Sequence, residues 1–205
     1  MTRRPHRRLR RPELHWLGMR LFMGIPLADT VARELGNAIA RLREGESTVP
    51  GSRLRWTAPD SWHITLQFLG NATEEQFTCL RAHLGEVRAE PIPVKLGELG
   101  CFDRAGVFFA DVTATPELAA LESAVVSATG RCGFAAETRP FHPHITLARA
   151  KGQGRGTELR DLQSKVRNQP AFTRFMAREF VLYESHLGTD GARYEARLRV
   201  PLARG

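Results

Sequence analysis

Four residues occur twice in this chain, as His63-Ile64-Thr65-Leu66 and as His144-Ile145-Thr146-Leu147, and no other feature limits so tightly what it folds into. Seven histidines give 21 pairs, and matching the three residues that follow at roughly one in fifteen each leaves ~0.006 expected coincidences. Chance is a poor explanation. Isoleucine and threonine favour an extended chain, where side chains alternate between two faces. Each copy then turns its histidine and threonine one way. Ile64, Leu66 and Phe68 pack the other way, as do Ile145 and Leu147.

The segments around the copies repeat a plan. Arg20 to Leu27 reads as a buried strand, ended by Pro26. A helix is predicted from about Thr30 to Arg43, with Asp29 as its cap and Val31, Leu35, Ile39 and Leu42 on one face. Residues 45–53 read as a loop and Leu54 to Thr57 as a short strand. Trp62 to Leu69 is the strand of the first copy, and Thr73 caps a helix to about Val87. Strands are expected near Val94 to Leu99 and Gly106 to Val112, then a helix from Pro116 to Thr129. His144 to Arg149 is the strand of the second copy. A glycine-rich loop at 152–156, a helix from Glu158 to Val166 and closing strands at Phe175 to Tyr183 and Tyr194 to Pro201 complete the chain. Strand and helix alternate twice in the same order, which predicts an α+β fold of two related lobes.

A strand that carries an imidazole and a hydroxyl two residues apart points both at one ligand. Imidazole gives or takes protons near neutral pH. Threonine donates a hydrogen bond to a phosphoryl oxygen without adding charge. Two copies facing one cleft supply an acid, a base and two oxyanion donors, which suits displacement at phosphorus. A single His-x-Thr is ordinarily an ordinary half-exposed strand; the duplication reverses that reading. His63, His142 and His144 form a weak zinc set, since no carboxylate lies at ligand spacing. The sequence has no P-loop, no GxSxG motif and no cysteine nucleophile with a partner. No metal and no cofactor are expected.

Charge adds less than its total suggests. The formal net charge is +8, but residues 1–18 hold six arginines against Glu13, so +5 sits there and +3 remains for the rest. The expected organisation is a disordered basic extension over 1–18, followed by one bilobal domain over 19–205. Cys79, Cys101 and Cys132 show no CxxC spacing and read as reduced, buried or half-buried thiols. No run approaches the ~18 apolar residues of a membrane span, and no signal peptide is recognised, so a cytoplasmic monomer is expected.

With these residues in place, the chain resembles the two-histidine phosphoesterases, specifically the bacterial RNA 2′,3′-cyclic phosphodiesterases of the LigT type. The likeness runs from about Arg20 to Leu202. It includes Arg20-Leu21-Phe22-Met23-Gly24-Ile25-Pro26, the block Trp56…Pro59…Trp62-His63-Ile64-Thr65-Leu66-Gln67-Phe68-Leu69-Gly70, Phe141-His142-Pro143-His144-Ile145-Thr146-Leu147-Ala148-Arg149, and Leu182-Tyr183-Glu184-Ser185…Tyr194. The resemblance implies two antiparallel sheets with flanking helices and pseudo-twofold symmetry around a central cleft. It implies hydrolysis of RNA 2′,3′-cyclic ends to a 2′-phosphate, with His63 as proton donor, His144 as proton acceptor, and Thr65 and Thr146 on the non-bridging oxygens. Arg149 stands where the family carries a phosphate-facing arginine. Strand parity opposes that position, so a bulge or the strand end must intervene. Phe22 stands near the family's base position, where stacking on the base and burial in a strand are even alternatives. Arg139 is read as solvated and His142 as a surface or supporting residue. Small cyclic nucleotides, the reverse 2′,5′ joining reaction and a non-catalytic RNA-end-binding module are the competing readings.

Overall fold

The computed structural model describes residues 18–44, 54–150, 155–166, 171–188 and 191–203. The expected basic extension, the 45–53 loop and most of the 152–156 loop lie outside them. Ten strands and four helices follow in the order β1 (Met19–Pro26), α1 (Asp29–Arg43), β2 (Leu54–Trp56), β3 (His63–Ala72), α2 (Glu74–Gly85), β4 (Ile92–Val94), β5 (Leu96–Phe102), β6 (Val107–Val112), α3 (Pro116–Gly130), β7 (His144–Ala150), α4 (Arg155–Lys165), β8 (Phe175–Ala177), β9 (Glu179–Gly188) and β10 (Gly191–Pro201). A short 3-10 turn, Pro59–Ser61, leads into β3.

Eight strands pair antiparallel in the order β10-β9-β1-β3-β7-β6-β5, with β2 also on β7, while β4 and β8 pair separately. The long sheet is two four-stranded halves. They join only where Ile64 of β3 meets Ile145 of β7. So thin a joint lets the halves diverge on either side of the two motifs, which is how an antiparallel fold makes a cleft without breaking its hydrogen-bond network.

One apolar cluster fills the face that carries Ile64 and Ile145, and the helices cover it with Val31, Leu35, Leu80, Leu121 and Leu159. Phe22, Val107, Phe109 and Val181 are buried too but stand outside that cluster, since their strand positions face the other side. The periodic residues of α1 are buried as expected, but Ala28 is its N-cap and makes no side-chain bond, Asp29 lying in the first turn instead. Thr73 caps α2 as expected: its hydroxyl accepts from the Gln76 amide and the Gln76 side chain accepts from the Thr73 amide. The predicted strand from Phe175 to Tyr183 is divided at Arg178 into β8 and β9, which pair with different partners. α4 begins at Arg155, earlier than the expected Glu158.

Two expectations are corrected. Cys79 of α2 and Cys132, just past α3, form a disulfide rather than reduced thiols, because packing of the two helices brings together cysteines 53 residues apart. Cys101 is the free one; burial pushes its thiol up to about 11. Phe68, expected in the core, is 66% exposed. Opposite Met23 and Gly24 the register of β3 slips by one residue, leaving Leu66 unpaired and turning both Leu66 and Gln67 inward. Phe68, just beyond that bulge, changes face, and a second slip opposite Leu21 and Phe22 leaves Leu69 unpaired.

Candidate active site

The seam between β3 and β7 sets the geometry. With Ile64 opposite Ile145 in an antiparallel pair, His63 falls opposite Thr146 and Thr65 opposite His144. The two histidines are then diagonal neighbours, roughly 7–8 Å apart at the backbone. All four side chains lie on the face opposite the buried isoleucines and are half-buried. One local pseudo-dyad passes between Ile64 and Ile145.

The imidazoles are held alike. Nδ1 of His63 lies 2.8 Å from the Ser61 carbonyl oxygen, and Nδ1 of His144 lies 2.8 Å from the His142 carbonyl oxygen. A carbonyl only accepts, so each Nδ1 carries the hydrogen and each Nε2 is left with a lone pair. Aromatic rings wall both sites. Around His63 stand Phe22 at 4.6 Å, Tyr194 at 5.2 Å and Tyr183 at 5.9 Å between ring centroids. Around His144 stand Phe102 at 5.1 Å and Phe109 at 5.6 Å. Burial therefore pushes His63 down to about 4, helped by the charges of His144 and Arg149 and opposed by the Ser61 carbonyl. His144 is lowered as well, mainly by burial. Gly24 makes room for this arrangement, since a Cβ there would lie 3.1 Å from Cδ2 of His63 and 3.1 Å from the Ile64 carbonyl oxygen.

Both motif strands carry the same irregularity. In β7 the slip falls between the partners of Phe108 and Phe109, so Leu147 is unpaired and Leu147 and Ala148 both face inward. The bulge resolves the parity conflict at Arg149, which returns to the histidine face and is exposed. Its counterpart in β3 is Phe68. Five residues after each histidine, one half thus offers an open aromatic ring and the other a guanidinium.

Phe22 requires a correction to its stacking role. It is only 3% exposed, with its ring against His63, Phe68, Tyr183 and Tyr194. A ring covered this way supports His63 from below and has no open face for a base; Phe68 has one. Arg139 is exposed and ion-paired with Glu137 at 2.6 Å. His142 bonds Asp111 through Nε2 at 2.9 Å while its carbonyl holds His144, so its part is to support. Phe102 and Phe109 had no signal in the sequence that tied them to the site, and Tyr183 and Tyr194 entered only through the family likeness. All four arrive through strand pairing. Among the described residues, the groups close enough to gather around a metal ion are Cys79, His83 and Cys132, whose two sulfurs are already joined in the disulfide, and Glu184, His186 and Glu195. Neither set includes His63 or His144. The site can hold a phosphoryl group between two hydroxyl donors and two imidazoles, with a guanidinium beside them.

A two-lobed α+β fold whose halves each deliver a His-x-Thr pair to one seam defines an acid–base phosphoester site. The family model of the 2'-5' RNA ligase superfamily matches residues 31–189; the chain belongs to that family. It is 29% identical over 187 residues to an RNA 2',3'-cyclic phosphodiesterase of Bacillus subtilis, covering 89% of this chain and 96% of that one. An enzyme of the same name from Archaeoglobus fulgidus is 29% identical over 180 residues, 86% of this chain and 97% of its own. The crystal structure of Escherichia coli LigT complexed with 3'-AMP superposes with a TM-score of 0.73 at 26% identity, covering 91% of this chain and 99% of that one.

Proposed function

We propose that this protein hydrolyses 2′,3′-cyclic phosphodiester ends of RNA to 2′-phosphomonoesters by histidine acid–base catalysis without a metal. The observation that carries the reading is the paired arrangement at the β3–β7 seam: two imidazoles on one face, each with Nδ1 pinned to a carbonyl two residues back, so that each keeps Nε2 for proton transfer. Water attacks phosphorus opposite the 3′-oxygen. His144 takes the water's proton at Nε2, His63 gives one from Nε2 to the departing 3′-oxygen, and the bond from phosphorus to that oxygen breaks. Thr65, Thr146 and Arg149 receive the non-bridging oxygens. The curated relatives of the same name support the substrate.

His63 as donor must carry a proton that its enclosure disfavours. The anionic cyclic phosphate beside it supplies the compensating charge, so substrate and proton bind together. In this reading the body from residue 19 onward is one catalytic domain and acts as a monomer in the cytoplasm. The family's description favours a second reaction at the same site, with a 5′-hydroxyl of RNA replacing water to form a 2′,5′ bond.

The test is to incubate pure protein with an oligonucleotide ending in a 2′,3′-cyclic phosphate, in EDTA, and to identify the product phosphate by phosphorus NMR. Complete conversion to the 2′-phosphate is expected. A 3′-phosphate product, or activity that disappears with EDTA and returns with zinc or manganese, would overturn the mechanism.

A further inference from the structure

Arg55 of β2 and Arg149 of β7 are directly opposite each other in an antiparallel pair, and both are exposed. The neighbouring pair fixes their face. Trp56 lies opposite Ala148, and both Trp56 and Ala148 adjoin buried Phe108, on the core side. Arg55 and Arg149 therefore stand on the other face, the one that bears Thr146 and the histidines. Two like charges directly across a strand pair repel, and among the described residues neither arginine has a carboxylate as an ion-pair partner. Sequence alone gives no reason to hold them together. An anion placed between them does.

Distance along the strand separates this anion from the reacting phosphate. From Thr146 to Arg149 the chain advances roughly 7 Å allowing for the bulge, and Arg55 lies about 5 Å farther across the pair. Arg149 has reach to both positions, whereas Arg55 stands beyond the reacting one. Arg149 also lies toward the His63 end of the seam, since β7 continues past Thr146 on that side. His63 is the proposed donor to the leaving ribose oxygen, so the ribose and whatever it carries lie at that end.

On the reading that this site opens cyclic phosphates, we propose that Arg55 is a substrate-binding residue for the phosphate attached to the 5′-oxygen of the terminal ribose, shared with Arg149. The phosphate is the linking diester of an RNA strand or a free 5′-phosphate; the chemistry recognised is the same. Two planar guanidinium forks can each give a phosphate two parallel hydrogen bonds. The site would thus distinguish an RNA end from a bare cyclic nucleoside.

The experiment compares kcat/KM for three substrates: adenosine 2′,3′-cyclic phosphate, the same compound with a 5′-phosphate, and a dinucleotide with a 2′,3′-cyclic end whose linkage is a neutral methylphosphonate. Unmodified protein is expected to favour the 5′-phosphorylated compound by about tenfold over both others. Arg55→Met should abolish that preference and Arg55→Lys should keep part of it. Circular dichroism of each variant checks the fold. A preference that survives Arg55→Met, or unmodified protein that treats all three alike, overturns the assignment to Arg55. Failure of unmodified protein to open any of the three overturns instead the activity on which it rests.

Discussion

At the scale of single residues, the aromatic enclosure of the two imidazoles governs both chemistry and stability. His63, held near 4 by burial, is neutral in the folded protein through the range where an unfolded histidine, with its ordinary pKa of about 6.5, takes up a proton. The unfolded chain then binds more protons than the folded one, so stability is full above about 6.5 and falls as the pH drops toward 4. His144, lowered in the same direction, adds to this. Melting temperature should decline between pH 7 and pH 4.5, and His63→Gln, which cannot titrate, should flatten part of the decline; equal slopes in the two proteins would refute the burial account. Catalysis gives the second prediction. His63→Ala and His144→Ala should each lose about 10²–10⁴-fold in turnover, and the double variant less than the product of the two. A substrate with an activated leaving group should rescue His63→Ala and leave His144→Ala slow. Rescue of the other variant would reverse the two roles.

Among the elements, the two bulged strands matter most. The bulge in β3 turns Gln67 into the core, where its Oε1 accepts from the Thr129 hydroxyl at 2.7 Å and its Nε2 donates to the Ala135 carbonyl at 3.2 Å. The equivalent residue of β7 is Ala148, which needs no partner. Gln67 thus ties the motif strand to the end of α3. Thr129→Val leaves the buried Gln67 oxygen without its donor and should cost about 1–3 kcal/mol, read as a lower urea midpoint with an unchanged slope. Turnover at saturating substrate should change little, because Gln67 faces away from the histidines. A variant as stable as the parent would mean that water replaces the hydroxyl.

For the whole molecule, the disulfide between Cys79 and Cys132 closes a span of 53 residues. Loop-closure entropy of that size is worth about 4 kcal/mol to the folded state, without any contact to the seam. Reduction, or Cys79→Ser, should therefore lower the melting temperature while leaving kcat/KM on a cyclic substrate close to that of the oxidised protein. Equal melting of the oxidised and reduced forms would show that helix packing alone holds α2 against α3. No described helix is long and apolar enough to cross a membrane.

The sequence by itself determined the periodic parts. The duplicated tetrapeptide named His63, Thr65, His144 and Thr146, alternation put Ile64 and Ile145 in the core, and the Thr73 cap with the apolar face of α1 set helices near their observed limits. Such features are local: each is written in side-chain spacing over a few residues. Parity past the bulges was not local. Whether Phe68 or Arg149 faces the cleft depends on one unpaired residue in each strand, and a bulge is fixed by the partner strand's hydrogen bonds rather than by its own residue types. The covering of Phe22 by rings from β3, β9 and β10, the meeting of Cys79 with Cys132, and the apposition of Arg55 and Arg149 likewise required partners distant in the chain. Only tertiary pairing decides which distant side chains become neighbours, because register, unlike periodicity, is a property of two strands at once.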